Sequence, residues 1–188
     1  MNFPKQTVLF ICTHNAVRSQ MAEALLNNIY GDRYTAYSAG SDPSQIDPLV
    51  KTVMSETNID VSHHRSKGFC VFQEVPLDYV ITLCDQAREA CPYFPGGRFR
   101  MHKGFSDPSR FQGSAEDLIQ EYRRVRDEIK RWIEKEFHFH GEVYKSFVAC
   151  CKAYGVAQEY IAIKAKREGI TRQEAIEKIL ALREKGTL

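Results

Sequence analysis

Long apolar runs are missing from this chain. No stretch of its 188 residues approaches the roughly 18 apolar positions that a membrane-crossing helix needs. An excess of either charge is missing too: 26 Lys and Arg stand against 24 Asp and Glu, a formal net charge of +2. That balance points away from nucleic acid as the default partner, since such surfaces are built on a clear excess of basic side chains. Internal repeats and low-complexity tracts are absent, as is any Cys/His spacing of a structural zinc site. His63, His64, His138 and His140 therefore read as isolated surface histidines, and no metal or cofactor is expected. The short apolar run near the N-terminus leads into His-Asn-Ala-Val-Arg and not into a small-residue cleavage site. It does not read as a signal peptide, and the expected location is the cytoplasm. There the cysteines at 12, 70, 84, 91, 150 and 151 would be thiols, because stable disulfides are rare in that compartment.

What is present is an ordinary globular composition, 43% hydrophobic and 27% charged, in a chain long enough to bury a core unaided. Residues 1–137 hold 17 Lys/Arg against 18 Asp/Glu, and residues 138–188 hold 9 against 6. The first part alternates two periodicities. Thr7–Cys12, Tyr34–Ser38, Asp78–Leu83 and Phe99–His102 read as strands. Ser19–Tyr30 reads as a helix with Met21, Ala24, Leu25 and Ile29 on its apolar stripe, and Gly31 as its C-terminal stop. Asp47–Thr57 is a second helix, striped by Leu49, Val50, Val53 and Met54. Ser114 with Asp117 caps a long third helix, whose stripe is Leu118, Tyr122, Val125, Ile129, Trp132 and Ile133. Strand–helix alternation of this kind predicts an α/β fold, a central four-stranded parallel sheet flanked by helices. Residues 138–188 show no strand signal. They predict a helical C-terminal extension, with helices over 142–154, 156–168 and 171–185 broken at Gly155 and Gly169.

The chemistry concentrates between the first strand and the first helix, in Cys12-Thr13-His14-Asn15-Ala16-Val17-Arg18-Ser19. A loop there aims its amides at the helix N-terminus, where unpaired N–H groups and the helix dipole favour an anion. A cysteine beginning such a loop sits in a field that favours its thiolate. Arg18 can grip an oxyanion with two parallel hydrogen bonds. Ser19 is placed to hydrogen-bond the sulfur, and Asn15 can shape the loop from within by accepting a left-handed backbone. Cys-x5-Arg alone is a weak pattern, equally that of a buried cysteine with an unrelated arginine. Its position between strand and helix makes it an oxyanion cradle.

ICTHNAVRSQMAEALL resembles the low-molecular-weight protein tyrosine phosphatase fold family, and SQMAE within it looks most like the thioredoxin-coupled arsenate reductases. The likeness covers residues 6–137 and includes YSAG, VITLCDQAREACP, GFSDP and RVRDEIK. It implies Cys12 as nucleophile, Thr13 to Ser19 as the oxyanion site, and Asp107 of GFSDP as the general acid on the leaving oxygen. Asp107-Pro108 on its own is only a turn signal. Cys84 and Cys91 read alone are small core residues or redox thiols. The resemblance implies a relay: Cys12 attacks arsenate, Cys84 attacks Cys12 as arsenite leaves, and Cys91 attacks Cys84. Thioredoxin, or a similar thiol reductant, would then reduce the Cys84–Cys91 disulfide. Cys70, Cys150 and Cys151 are read as packing residues.

Three departures from the family's pattern stand out. Val17 holds a position that is often cysteine, and His14 one that is often glycine. Some of these reductases bind potassium beside the loop at positions matching Asn15, Glu23, Ser38 and an aspartate; the aspartate position is Lys67 here. Two readings of Lys67 stand side by side: its ammonium replaces the cation and pairs with Glu23, or it is a solvated surface lysine. Arsenate, with phosphate as its analogue, is the expected ligand, and the extension could support a homodimer. Two rival functions remain: a phosphatase hydrolysing a phosphocysteine at Cys12, and a non-catalytic oxyanion-binding module.

Overall fold

The computed structural model describes residues 5–85, 87, 97–137, 161 and 166–169. The chain divides into two compact units, Met1–Lys135 and Glu136–Leu188. In the first, β1 (Gln6–Cys12), β2 (Tyr34–Gly40), β3 (Tyr79–Thr82) and β4 (Phe99–His102) form one parallel sheet in the order β2-β1-β3-β4. The helices are α1 (Arg18–Tyr30), α2 (Pro48–Ser55) and α3 (Ala115–Phe137), with single 3-10 turns at Phe69–Phe72 and Pro108–Arg110. Val8, Leu9, Phe10 and Ile11 are buried, as are Tyr79, Val80, Ile81 and Thr82. Unbroken burial of this kind marks strands covered on both faces, which is why neither segment alternates with polar residues.

The strand order decides where a ligand sits. The chain passes from β1 to β2 on one side and then returns to place β3 on the other side of β1. A crevice opens at such a switch point, beyond the carboxyl ends of the two central strands. Cys12 is the last residue of β1, and Cys84 lies two residues beyond β3.

Helix boundaries follow their caps. Asp47 accepts from the Leu49 amide at 2.8 Å, and Pro48 occupies the first turn, so α2 starts one residue later than its periodicity suggests. It ends at Ser55, short of the expected Thr57. Ser114 and Asp117 form a reciprocal capping box on α3, with Ser114 Oγ accepting from the Asp117 amide at 3.2 Å. On α1 Met21, Ala22, Ala24, Leu25, Leu26 and Tyr30 are buried, and Ile29 is only half-buried. Gly31 ends α1 with φ −64°, not with the left-handed backbone of a glycine stop. Glycine fits there by contact, since a Cβ would run into the Asn27 carbonyl. Cys70 departs from its expected core role: it is exposed on the first 3-10 turn. Of the expected extension, Lys166–Glu168 are helical and Gly169 stands at φ +65°; Cys150, Cys151, His138, His140 and the remaining helical segments lie outside the described residues.

α3 is bonded to α2 at both ends of the shorter helix. The Tyr122 hydroxyl donates to Asp47 Oδ2 at 2.6 Å, so one carboxylate caps α2 and holds α3. Burial, and then the Asp47 carboxylate, push the Tyr122 hydroxyl far above its ordinary pKa. At the other end Arg126 donates to the Val53 carbonyl at 2.7 Å and to Glu56 at 3.1 Å. Tyr122→Phe should lower the unfolding free energy by about 1–3 kcal/mol, because it leaves a half-buried carboxylate oxygen short of a donor. Urea denaturation with an unchanged slope would show this as a shifted midpoint.

Candidate oxyanion site

Asn15 organises the loop after β1. It is fully buried and holds φ +48°, a left-handed conformation that asparagine tolerates better than most residues. Its side chain donates to Ser19 Oγ at 2.8 Å and accepts from the Lys67 amide at 2.8 Å. Its carbonyl accepts from Gln20 Nε2 at 3.0 Å. Because Asn15 donates to Ser19, the serine's own hydrogen is left for Cys12 Sγ, 2.9 Å away. Cys12 is buried at 2% exposure. Gly40 lets the loop cross the end of β2, since a Cβ there would lie 2.7 Å from the Thr13 carbonyl oxygen. His14 faces outward, 3.1 Å from the Asp42 carbonyl, so its side chain stands away from the sulfur chemistry.

Arg18 opens α1 and is buried at 6% exposure. It donates to Asp107 Oδ2 at 2.7 Å and to the Phe105 carbonyl at 3.2 Å. Its Nε–H is buried without a hydrogen-bond partner among the described residues. Asp107 also caps the 3-10 turn through Ser109, so the turn reading of Asp-Pro holds alongside the site position. Arg124 of α3 donates to Ser106 Oγ at 2.5 Å, and Trp132 packs edge-on against Phe105 at 5.8 Å. The loop that carries Asp107 is thus held from α1 and from α3. A cleft of about 520 Å³ opens here, lined by Arg18, Cys84, Asp85, Phe105, Asp107 and Arg110 among others. Cys84 is 7% exposed, and its Sγ lies 3.3 Å from Thr13 Oγ1 of the cradle. Cys91 lies outside the described residues.

On the far side of the loop, Glu23 accepts from the Ser38 hydroxyl, and Lys67 Nζ stands 3.6 Å from Glu23 Oε2. The expected Lys67–Glu23 pair is therefore present. The surface reading of His64 is corrected by its burial, with a side chain 7% exposed. It lies against α1, where Nδ1–H donates to Gln20 Oε1 at 2.8 Å. Gln20, His64, Gly40 and Arg124 are site-supporting residues to which motif reading gave no role; SQMAE, YSAG and RVRDEIK contain Gln20, Gly40 and Arg124 without singling them out, and nothing local marks His64. Among the described residues no group of three or more His, Cys, Asp or Glu is arranged to hold a metal ion. No described helix is long and apolar enough to cross a membrane.

A buried cysteine and arginine bracketing a strand–helix loop, with an aspartate opposite, define an enzyme that handles a tetrahedral oxyanion through sulfur. Residues 7–145 match the model of the low molecular weight phosphotyrosine protein phosphatase family, and the chain belongs to that family. Arsenate reductase 1 of Staphylococcus epidermidis is 41% identical over 71% of this chain and 97% of its own. The arsenate reductase of Halalkalibacterium halodurans is 39% identical over 69% of this chain and 94% of its own. A solved arsenate reductase in its phosphate-binding state superposes with a TM-score of 0.60 at 26% identity, covering 69% of this chain and 95% of that one.

Burial holds the His64 imidazole below its ordinary value of 6.5, reinforced by His63 and Lys67 and opposed by Glu23 and Asp60. The unfolded chain therefore binds this proton more readily. His64's contribution to stability should be complete above pH 6.5 and decline as the pH falls below it. His64→Gln should flatten that part of the profile of unfolding free energy against pH.

Proposed function

We propose that this chain is an arsenate reductase, converting arsenate to arsenite through Cys12, Cys84 and Cys91. The observation that carries the reading is the second thiol. Cys84 stands at the carboxyl end of the strand beside β1, with its sulfur bonded to the cradle. Hydrolysis of a phosphocysteine needs no such group. The relatives named arsenate reductase, similar over nearly their whole length, support the same choice.

In this reading the loop amides of Thr13 to Ser19 and the Arg18 guanidinium hold three oxygens of arsenate. The Cys12 thiolate attacks arsenic, and Asp107 gives the departing oxygen its proton so that water leaves. Asp107 must part from Arg18 to do this, and the oxyanion takes its place on the guanidinium. The Cys84 thiolate then attacks Cys12 Sγ. A Cys12–Cys84 disulfide forms, the S–As electron pair stays on arsenic, and arsenite leaves. Cys91 attacks Cys84, freeing Cys12, and thioredoxin or a similar dithiol of a reducing cytoplasm takes up the Cys84–Cys91 disulfide. A domain boundary near residue 137 and a homodimer through residues 138–188 belong to the same proposal. So does Lys67 as the fixed positive charge behind the loop.

The phosphatase alternative uses the same cradle and acid, so weak phosphate-ester hydrolysis accompanies either reading. The chain should produce arsenite from arsenate with thioredoxin, thioredoxin reductase and NADPH. Cys91→Ser should release one arsenite per chain and stop, whereas a phosphatase would not notice the change. Continued cycling of that variant with thioredoxin would refute the relay. If Lys67 supplies the charge behind the loop, exchanging potassium for sodium should leave the rate within about twofold, well inside one kcal/mol; a several-fold activation by potassium would overturn that role.

A further inference from the structure

His102 ends β4 and is the register partner of Thr82 on β3. Thr82 Oγ1 lies 2.9 Å from His102 Nδ1, and His102 Nε2 lies 3.3 Å from Asp85 Oδ1. One tautomer satisfies both contacts: the threonine hydroxyl donates to Nδ1, and Nε2–H donates to the carboxylate. Asp85 follows Cys84 directly, at the point where the backbone turns helical, and it lines the cleft with Arg18 and Asp107. The same imidazole stands beside the acid loop, where a Cβ on Gly104 would lie 3.5 Å from Nε2. His102 thus ties the segment that begins at Cys84 to β4, through Asp85 on one side and Thr82 on the other.

Attack of one sulfur on another needs the thiolate, the attacked sulfur and the leaving atom in line, so small displacements of the attacking group slow it sharply. The Cys84 sulfur is held on the cradle side by Thr13. The backbone on its other side is tied by the Asp85–His102 contact. Resting on the reductase reading, we propose that His102 is a positioning residue for Cys84, acting through Asp85. It sets the direction from which the Cys84 thiolate attacks Cys12 Sγ as arsenite departs with the S–As electron pair. Asp85 is 84% exposed, so this contact adds little to stability, and its removal leaves the fold standing.

The test is a single turnover in the Cys91→Ser chain, mixing with arsenate and following arsenite release and loss of free thiols. His102→Ala and Asp85→Ala should each slow the release about tenfold, and the double variant should be no slower than the slower single. His102→Gln, whose amide N–H reaches toward the same carboxylate, should recover most of the rate. In His102→Ala, alkylation of Cys12 by iodoacetamide and its protection by inorganic phosphate should be unchanged. Unaltered release in both alanine variants, additive slowing, or an equal loss of Cys12 alkylation overturns the proposal alone. If the Cys91→Ser parent releases no arsenite, the reductase reading fails and the role of His102 falls with it.

Discussion

The site depends on one buried side chain in an uncommon backbone conformation. Asn15 turns the chain left-handed after β1, so that the following amides curve around a common centre. The strain is held in place by bonds in three directions: to Ser19, to the Lys67 amide, and from Gln20 to its carbonyl. The bond to Ser19 has a consequence beyond shape. With Asn15 donating to the hydroxyl oxygen, the serine's hydrogen is available to a Cys12 thiolate. Loop geometry and sulfur chemistry are therefore two effects of one amide group.

A second constraint joins the cradle to the acid. Arg18 and Asp107 lie 89 residues apart in sequence and meet at 2.7 Å. The carboxylate is bonded directly to the guanidinium. In the proposed reaction arsenate, with a stronger and better-shaped charge, displaces it. That exchange would turn the carboxylate from an arginine partner toward the leaving oxygen. Arg124 and Trp132 hold the loop that carries Asp107 from α3. A near-neutral chain suffices for such a site. The attracting charge is local, built from amides and one arginine, so bulk composition carries no trace of it.

What could be read from the sequence was what depends on local spacing. The four strands, the Ser114–Asp117 cap pair and the loop itself are encoded within a few residues of one another. Ser19 and the bond between Asn15 and Ser19 could be anticipated because Cys12, Asn15 and Ser19 share one loop, whereas the Lys67 amide on Asn15 comes from a distant segment. The Lys67–Glu23 pair could be placed only by likeness to relatives. The rest arises from packing between distant segments. His64 sits in a polar stretch and looks like a surface residue, yet the chain after α2 lays it against Gln20. Cys70 looks like a core thiol, but the 3-10 turn carrying it packs through Phe72 and leaves the sulfur outside. Arg18–Asp107 and Thr82–His102–Asp85 require the sheet order before anyone can say that their ends meet.

Sheet order also bears on the choice between hydrolysis and reduction. Once an oxyanion is joined to Cys12, its fate is set by the next nucleophile to reach it. Water attacking the central atom returns the oxyanion at its original oxidation state. A thiolate attacking sulfur leaves an electron pair on the central atom and reduces it. Arsenic accepts that pair far more readily than phosphorus, so the same cradle can hydrolyse one ester and reduce the other oxyanion. What the protein adds is the second sulfur, and the parallel pairing of β1 with β3 is what brings it there. Cys12 and Cys84 close adjacent strands that run in the same direction, so both thiols emerge at one edge of the sheet. An antiparallel neighbour would have sent its carboxyl end to the opposite edge.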